Sequence, residues 1–315
     1  MHGKKAHGIA LRALYFDTAS RALARAGIAL RVRREGGQWV QTLKAAGHDP
    51  LSRIEINHPR PHAQIDLTLY KEGPLANFFA KLNEPLKVRY ETDVQRLVAQ
   101  AGRDGTLIEI AYDEGAILAQ GWTLPVCEVE FELVSGDMSA LFDLAQEWLS
   151  RHGLILEIRS KAQRGDRLAD LEPAPATAAA MPPALFEARR AKRPNVAANA
   201  TVSERYIAHV GESLVQIMAN ASLLAGVDAR NVSDEDRAAQ LHQLKLGIRR
   251  LRACWKRYPA LAPDIEPPIA QALARKRPDQ LQAIAAGPEF QLILLGLLKQ
   301  LVHLGDSERL ETSGA

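Results

Sequence analysis

The first half of the chain alternates between apolar and polar positions. That is the period of a β-strand, in which successive side chains point to opposite faces. From Ile28 to Arg34, Arg31 and Arg33 share one face while Leu30 and Val32 take the other. Trp39 to Lys44 puts Thr42 and Lys44 in phase, and Ser52 to Asn57 does the same for Arg53, Glu55 and Asn57. Leu86 to Val98 aligns Thr92 with Arg96, and Leu107 to Asp113 aligns Glu109 with Asp113. The most regular stretch is Pro125 to Leu133, where Glu128, Glu130 and Glu132 alternate with Cys127, Val129, Phe131 and Leu133. Arg12 to Asp17 reads as a further strand. Glu35-Gly36-Gly37-Gln38 has the glycine content of a hairpin turn, Glu114-Gly115 reads as another turn, and Pro59 and Pro61 break the pattern.

Helical pieces interrupt the strands. Thr18-Ala19-Ser20 caps a short helix that Gly27 ends, and a second lies around Leu75 to Leu82. A longer amphipathic helix runs from Asp137 to about His152, with Leu141, Leu144, Ala145 and Trp148 on one face. In Ser160-Lys161-Ala162-Gln163-Arg164-Gly165, helical spacing sets Lys161 beside Arg164. Glu172 to Ala200, rich in alanine and proline, reads as a semi-extended linker. Beyond it the period turns helical, with Tyr206, Val210, Leu214, Ile217 and Ala221 three and four residues apart. Ser233 and Asp236 open another helix. On it Leu241, Leu244, Ile248, Leu251 and Trp255 form an apolar stripe beside a basic one of His242, Lys245, Arg249, Arg252 and Lys256.

The charges on the strands are sorted by sign, and this changes the picture. Three carboxylates on one strand face repel one another unless a divalent cation or neighbouring basic side chains neutralise them. A closed antiparallel barrel with a charged lumen explains the sorting: bases hold a polyanion and carboxylates hold its metal. The expected fold class is therefore α+β, a β-barrel tunnel with flanking helices followed by an all-α bundle. Its expected parts are residues 1–170, a linker over 171–200, and a helical domain over 201–315. A chain of 315 residues suits two such domains. The formal net charge of +3 is too small to point to nucleic acid. The two cysteines, Cys127 and Cys254, lie far apart, which suggests a reduced compartment and no disulfide framework. The longest apolar run, Leu292 to Leu298, is too short to span a bilayer, and the basic N-terminus lacks an apolar signal core, so a cytoplasmic protein is expected.

Tyr15-Phe16-Asp17-Thr18, Leu30-Arg31-Val32-Arg33, Thr42-Leu43-Lys44, Arg53-x-Glu55, Thr92-Asp93-x-x-Arg96, Ile108 to Asp113, Cys127 to Leu133 and Ser160 to Gly165 occur in this order. Together they resemble the CYTH family of triphosphate tunnel metalloenzymes over roughly residues 10–170. The resemblance implies a tunnel of eight antiparallel strands around a triphosphate. Arg31, Arg33, Lys44, Arg53, Arg96, Lys161 and Arg164 would bind phosphate. Glu109, Asp113, Glu130 and Glu132 would hold Mg²⁺ or Mn²⁺, and Glu55 and Glu128 would position water. The family opens with a Glu-x-Glu-x-Lys strand that has no counterpart here, so either the given start lies too late or this copy is degenerate, and if the sequence is complete as written, weak metal binding and low activity are expected. The helix from His242 to Arg252 resembles the signature helix of CHAD domains, with a lysine at 245 where an arginine is usual. That implies a shortened CHAD bundle in which His242, Lys245, Arg249 and Arg252 bind polyphosphate. The function so implied is a metal-dependent inorganic triphosphatase acting on tripolyphosphate. The alternatives are a catalytically degenerate polyphosphate-binding protein, and a family enzyme for an organic triphosphate such as ATP or thiamine triphosphate. No membrane or nucleic-acid partner is expected.

Overall fold

The computed structural model describes residues 2–3, 6–46, 53–175, 182–228, 232–262 and 278–313. The chain forms two compact units, Met1–Gly136 with Arg159–Pro182 and Asp137–Ile158 with Pro183–Ala315. No helix among the described residues is long and apolar enough to cross a membrane.

The first unit is one antiparallel sheet. Its strands are β1 (His2–Gly3), β2 (His7–Asp17), β3 (Ile28–Glu35), β4 (Gln38–Ala46), β5 (Arg53–Arg60), β6 (Lys87–Arg103), β7 (Thr106–Ala119) and β8 (Trp122–Ser135). They lie in the order β5-β4-β3-β2-β6-β7-β8, and β1 pairs with β6 beyond the end of β2. Among the described residues no ladder joins β5 to β8. Helices α1 (Ala22–Arg25), α2 (Ala76–Ala80) and α4 (Lys161–Leu168) complete this unit, while α3 (Met138–His152) belongs to the other.

The strand period does what the pattern predicts. Leu30, Leu43 and Ala45 are buried on the outer face of β3 and β4, under Leu23 of α1, Tyr70, and the side chains of Leu75, Phe78 and Phe79. Fully burying a leucine there contributes about 1.5–3 kcal/mol. The charged side chains are thereby left for the inner face. Asp17 organises the β2–α1 corner: its carboxylate accepts the backbone N–H groups of Thr18, Leu23 and Ala24 at 2.7, 2.9 and 3.0 Å.

Two boundaries differ from the sequence reading. Glu114-Gly115 does not turn the chain, because β7 runs through it to Ala119. Gly115 is needed for close approach instead: a Cβ there would sit 2.2 Å from the Asp93 carbonyl oxygen on β6. Pro59 does not end its strand either. On β5 it pairs with Val40 of β4, and among the described residues β5 has no neighbour on its other side, an edge position of the kind where proline is tolerated.

The second unit is helical: α3, α5 (Val202–Leu224), α6 (Asp234–Arg257), α7 (Pro278–Ala286) and α8 (Pro288–Ser313). Thr201 and Glu204 form a capping box at the start of α5, and Ser233 caps α6 through the Asp236 N–H. Tyr206, Leu214 and Ile217 of α5 pack with Leu244, Leu251 and Trp255 of α6 and Leu294 and Leu301 of α8. Phe142 and Leu149 of α3 pack with Leu295, Leu298 and Val302 of α8. Residues 182–200 carry no helix or strand, yet they are tied to α5. There Asn220 exchanges two hydrogen bonds with the Arg189 backbone, and Glu212 accepts from the Arg189 guanidinium.

Candidate functional site

Register brings the charged positions together. Asp113 of β7 lies between Arg96 of β6 and Glu128 of β8, while Lys44 of β4 faces Glu55 of β5. Arg96 grips Asp113 with two hydrogen bonds, Nε to Oδ1 at 2.6 Å and Nη2 to Oδ2 at 2.7 Å, and also reaches Glu130 at 2.8 Å. Lys161, from the first turn of α4, contacts Asp113 at 2.8 Å, Glu130 at 3.0 Å, and Glu128. Arg164, one turn later, donates to Glu128 at 2.8 Å and to the Pro125 carbonyl at 3.2 Å. Lys44 pairs with Glu55 at 2.7 Å, Asn57 donates to the other Glu55 oxygen at 3.2 Å, and Thr42 donates to Asn57 at 2.7 Å. Arg33 pairs with Glu35.

Charges act on one another across strands that are not neighbours. The charge of Glu130 on β8 reaches Arg31 on β3, and that of Lys161 reaches Tyr15 on β2. Burial pushes the Asp113 carboxyl up, but Arg96 and Lys161 outweigh it and hold it below the ordinary range. Glu130 is likewise held down by Lys161 and Arg96 against burial. Lys161 is raised despite burial, by Glu130, Glu128 and Asp113. Each of these groups is therefore charged at neutral pH.

Helix α4 is fixed by three devices. Ser160 and Gln163 form a capping box. Gly165 lies against the ring of Tyr90, where a Cβ would come within 2.2 Å of Cδ2. Asp166 and Asp170 both pair with Arg21 and with Arg89, Asp170 doing so at 2.6 and 2.8 Å. The glycine of Ser-Lys-Ala-x-Arg-Gly thus lets the helix lie close enough to aim Lys161 and Arg164 inward.

Asp113, Glu128 and Glu130 each offer a carboxylate oxygen within 4.8 Å of the others. Three hard oxygen donors of this kind suit Mg²⁺ or Mn²⁺. Glu109 and Glu132 stand opposite each other further along β7 and β8, outside this group, and Glu132 is exposed. The Arg53 backbone faces Ala46, and its side chain lies outside the described residues. Sequence reasoning assigned no role to Tyr15, Tyr90, Asn57 or Asp166. Asn57 was in phase with Arg53 and Glu55, and Tyr15 stood in the Tyr15-Phe16-Asp17-Thr18 motif; those were their available signals.

A curated inorganic triphosphatase from Haemophilus influenzae is 30% identical over 158 residues, covering 48% of this chain and 44% of that protein. The chain thus matches less than half the length of that relative. Among solved structures, a Hippeastrum protein described as revealing a dominant triphosphatase activity aligns at 16% identity with a TM-score of 0.35. That alignment covers 53% of this chain and 85% of that one. The inorganic triphosphatase NE1496 aligns at 18% identity with a TM-score of 0.23, covering 54% and 88%. A family profile described as the CYTH domain matches residues 1–165, just over half of the sequence, and the chain belongs to the CYTH family.

Proposed function

We propose that the charged face of the sheet hydrolyses an inorganic triphosphate, tripolyphosphate, to pyrophosphate and phosphate. The observation that carries this is the cluster of Asp113, Glu128 and Glu130 interleaved with Arg96, Lys161 and Arg164. Such a surface offers cations to phosphate oxygens and hard donors to a metal within one site. Phosphoryl transfer to water needs positioning and charge neutralisation more than a protein nucleophile. Arg31, Arg33, Lys44, Arg53, Arg96, Lys161 and Arg164 bind and orient the phosphate chain. Asp113, Glu128 and Glu130 hold Mg²⁺ or Mn²⁺, with Glu109 and Glu132 contributing to the acidic face. A metal held there would supply positive charge against the negative charge that develops on the phosphate oxygens. Glu55, kept ionised by Lys44 and Asn57 against burial, accepts a proton from the attacking water, and Glu128 is the second water-positioning carboxylate. The phosphoanhydride bond breaks, and its bridging oxygen leaves on pyrophosphate.

The second unit has a CHAD-like role in this reading. His242, Arg249 and Arg252 are exposed and Lys245 half-buried on α6, a basic stripe that supports polyphosphate binding.

The test is phosphate release from tripolyphosphate by the full chain with Mg²⁺, Mn²⁺ or EDTA, beside Glu130→Gln. Metal-dependent release that the variant loses is expected. No release by the folded wild-type chain with either metal refutes the enzyme.

A further inference from the structure

Resting on the triphosphate reading, we propose that Tyr15 is a positioning residue that presets Arg31 as the receiving cation for the phosphate chain. Every other described basic side chain assigned to phosphate already has a carboxylate. Arg33 has Glu35, Lys44 has Glu55, Arg96 has Asp113 and Glu130, Lys161 has three, and Arg164 has Glu128. Arg31 has none among the described residues. Its one hydrogen bond among the described residues runs from Nη1 to the Tyr15 hydroxyl at 3.1 Å, and its Nε is buried without a described partner. A guanidinium is satisfied by two or more oxygens presented together, which a phosphate supplies and a single phenol does not.

The phenol is well placed to hold it. The Tyr15 ring stacks on Tyr90 at 4.5 Å and 18°. Tyr90 in turn lies against Gly165 with no room for a Cβ. The column Tyr15–Tyr90–Gly165 therefore fixes the Tyr15 hydroxyl relative to α4, the helix that carries Lys161 and Arg164. Arg31 on β3 is thereby held in register with the cations of α4 before substrate arrives. Ordering that would otherwise oppose binding is already complete. The tyrosine is also electrostatically part of the site: burial raises it, but Arg31, Lys161 and Lys44 together hold it below an ordinary phenol.

Tyr15→Phe keeps the ring stack and removes only the hydroxyl. Tripolyphosphate binding is measured by calorimetry in EDTA, and KM and kcat with metal. The expected result is a rise of about 10- to 150-fold in Kd and KM, the worth of one hydrogen bond to a charged group, with kcat within twofold. Arg31→Lys should cost clearly less in the Tyr15→Phe background than in the wild type, because the two act as a unit. A merely structural role would lower thermal stability, leave Kd unchanged, and give additive losses, and that result overturns the proposal. If Tyr15→Phe does not fold, Arg31→Gln reads the contact from its other partner. Unchanged affinity there also overturns it. A wild-type chain that binds tripolyphosphate without hydrolysing it removes the enzyme reading and leaves this proposal to stand or fall on Kd. A chain that binds none removes both.

Discussion

Lys161 is the side chain on which the charge balance of the site turns. Its ammonium touches all three carboxylates of the candidate metal group, with Asp113 fully buried, Lys161 10% exposed and Glu130 50% exposed. Lys161→Met keeps the stem and removes the charge. Breaking a buried ion pair costs about 3–5 kcal/mol. The low end applies here, because Arg96 still serves Asp113 and Glu130, Arg164 still serves Glu128, and water screens Glu130. A loss of about 3 kcal/mol in a unit of this size lowers Tm by roughly 6–12 °C in EDTA. A divalent cation at about 100 times its Kd returns about 2.7 kcal/mol. Mn²⁺ should therefore raise the Tm of Lys161→Met more than that of the wild type, and calorimetry should show tighter Mn²⁺ binding by the variant. Equal Mn²⁺ shifts in both proteins, or an unchanged Tm in EDTA, would refute the reasoning that the ammonium and the metal serve the same three oxygens.

Gly165→Ala forces a Cβ into the Tyr90 ring and should cost about 1–3 kcal/mol in urea unfolding. It should also raise the Kd for tripolyphosphate, since Lys161 and Arg164 move with α4. Acid should destabilise the first unit. Asp113, Glu130 and Glu55 are pushed up by burial but held below their ordinary values by Arg96, Lys161 and Lys44. Their contribution is complete above the unfolded carboxylate value and is lost as pH falls through the folded one. Urea midpoints should therefore decline below about pH 5, and more steeply for wild type than for Glu130→Gln.

The strands were legible because a sheet with one apolar and one charged face writes period two into the chain. Arg31, Lys44, Glu55, Arg96, Asp113, Glu128 and Glu130 all fall on the face that this period assigns them. Gly115 was misread because glycine marks both turns and close backbone approach, and only the neighbour at Asp93 tells them apart. Tyr15 was passed over because an aromatic residue in a strand looks like packing until its hydroxyl finds Arg31. The partner of α3 was invisible for a different reason. An amphipathic helix states that one face is covered, but not by what.

That partner sets the order of events during synthesis. Asp143 of α3 pairs with Lys299 of α8 across 156 residues, at 2.8 Å. A ribosome adding roughly 5–20 residues per second takes about 8–30 s to cover that distance. Through that interval Phe142 and Leu149 are outside the exit tunnel without the leucines that cover them. The nascent chain therefore carries a sticky helix well after its sheet can form, and a chaperone holdase has its natural window there. For the same reason a fragment cut at the alanine- and proline-rich stretch would keep α3 and lose its cover.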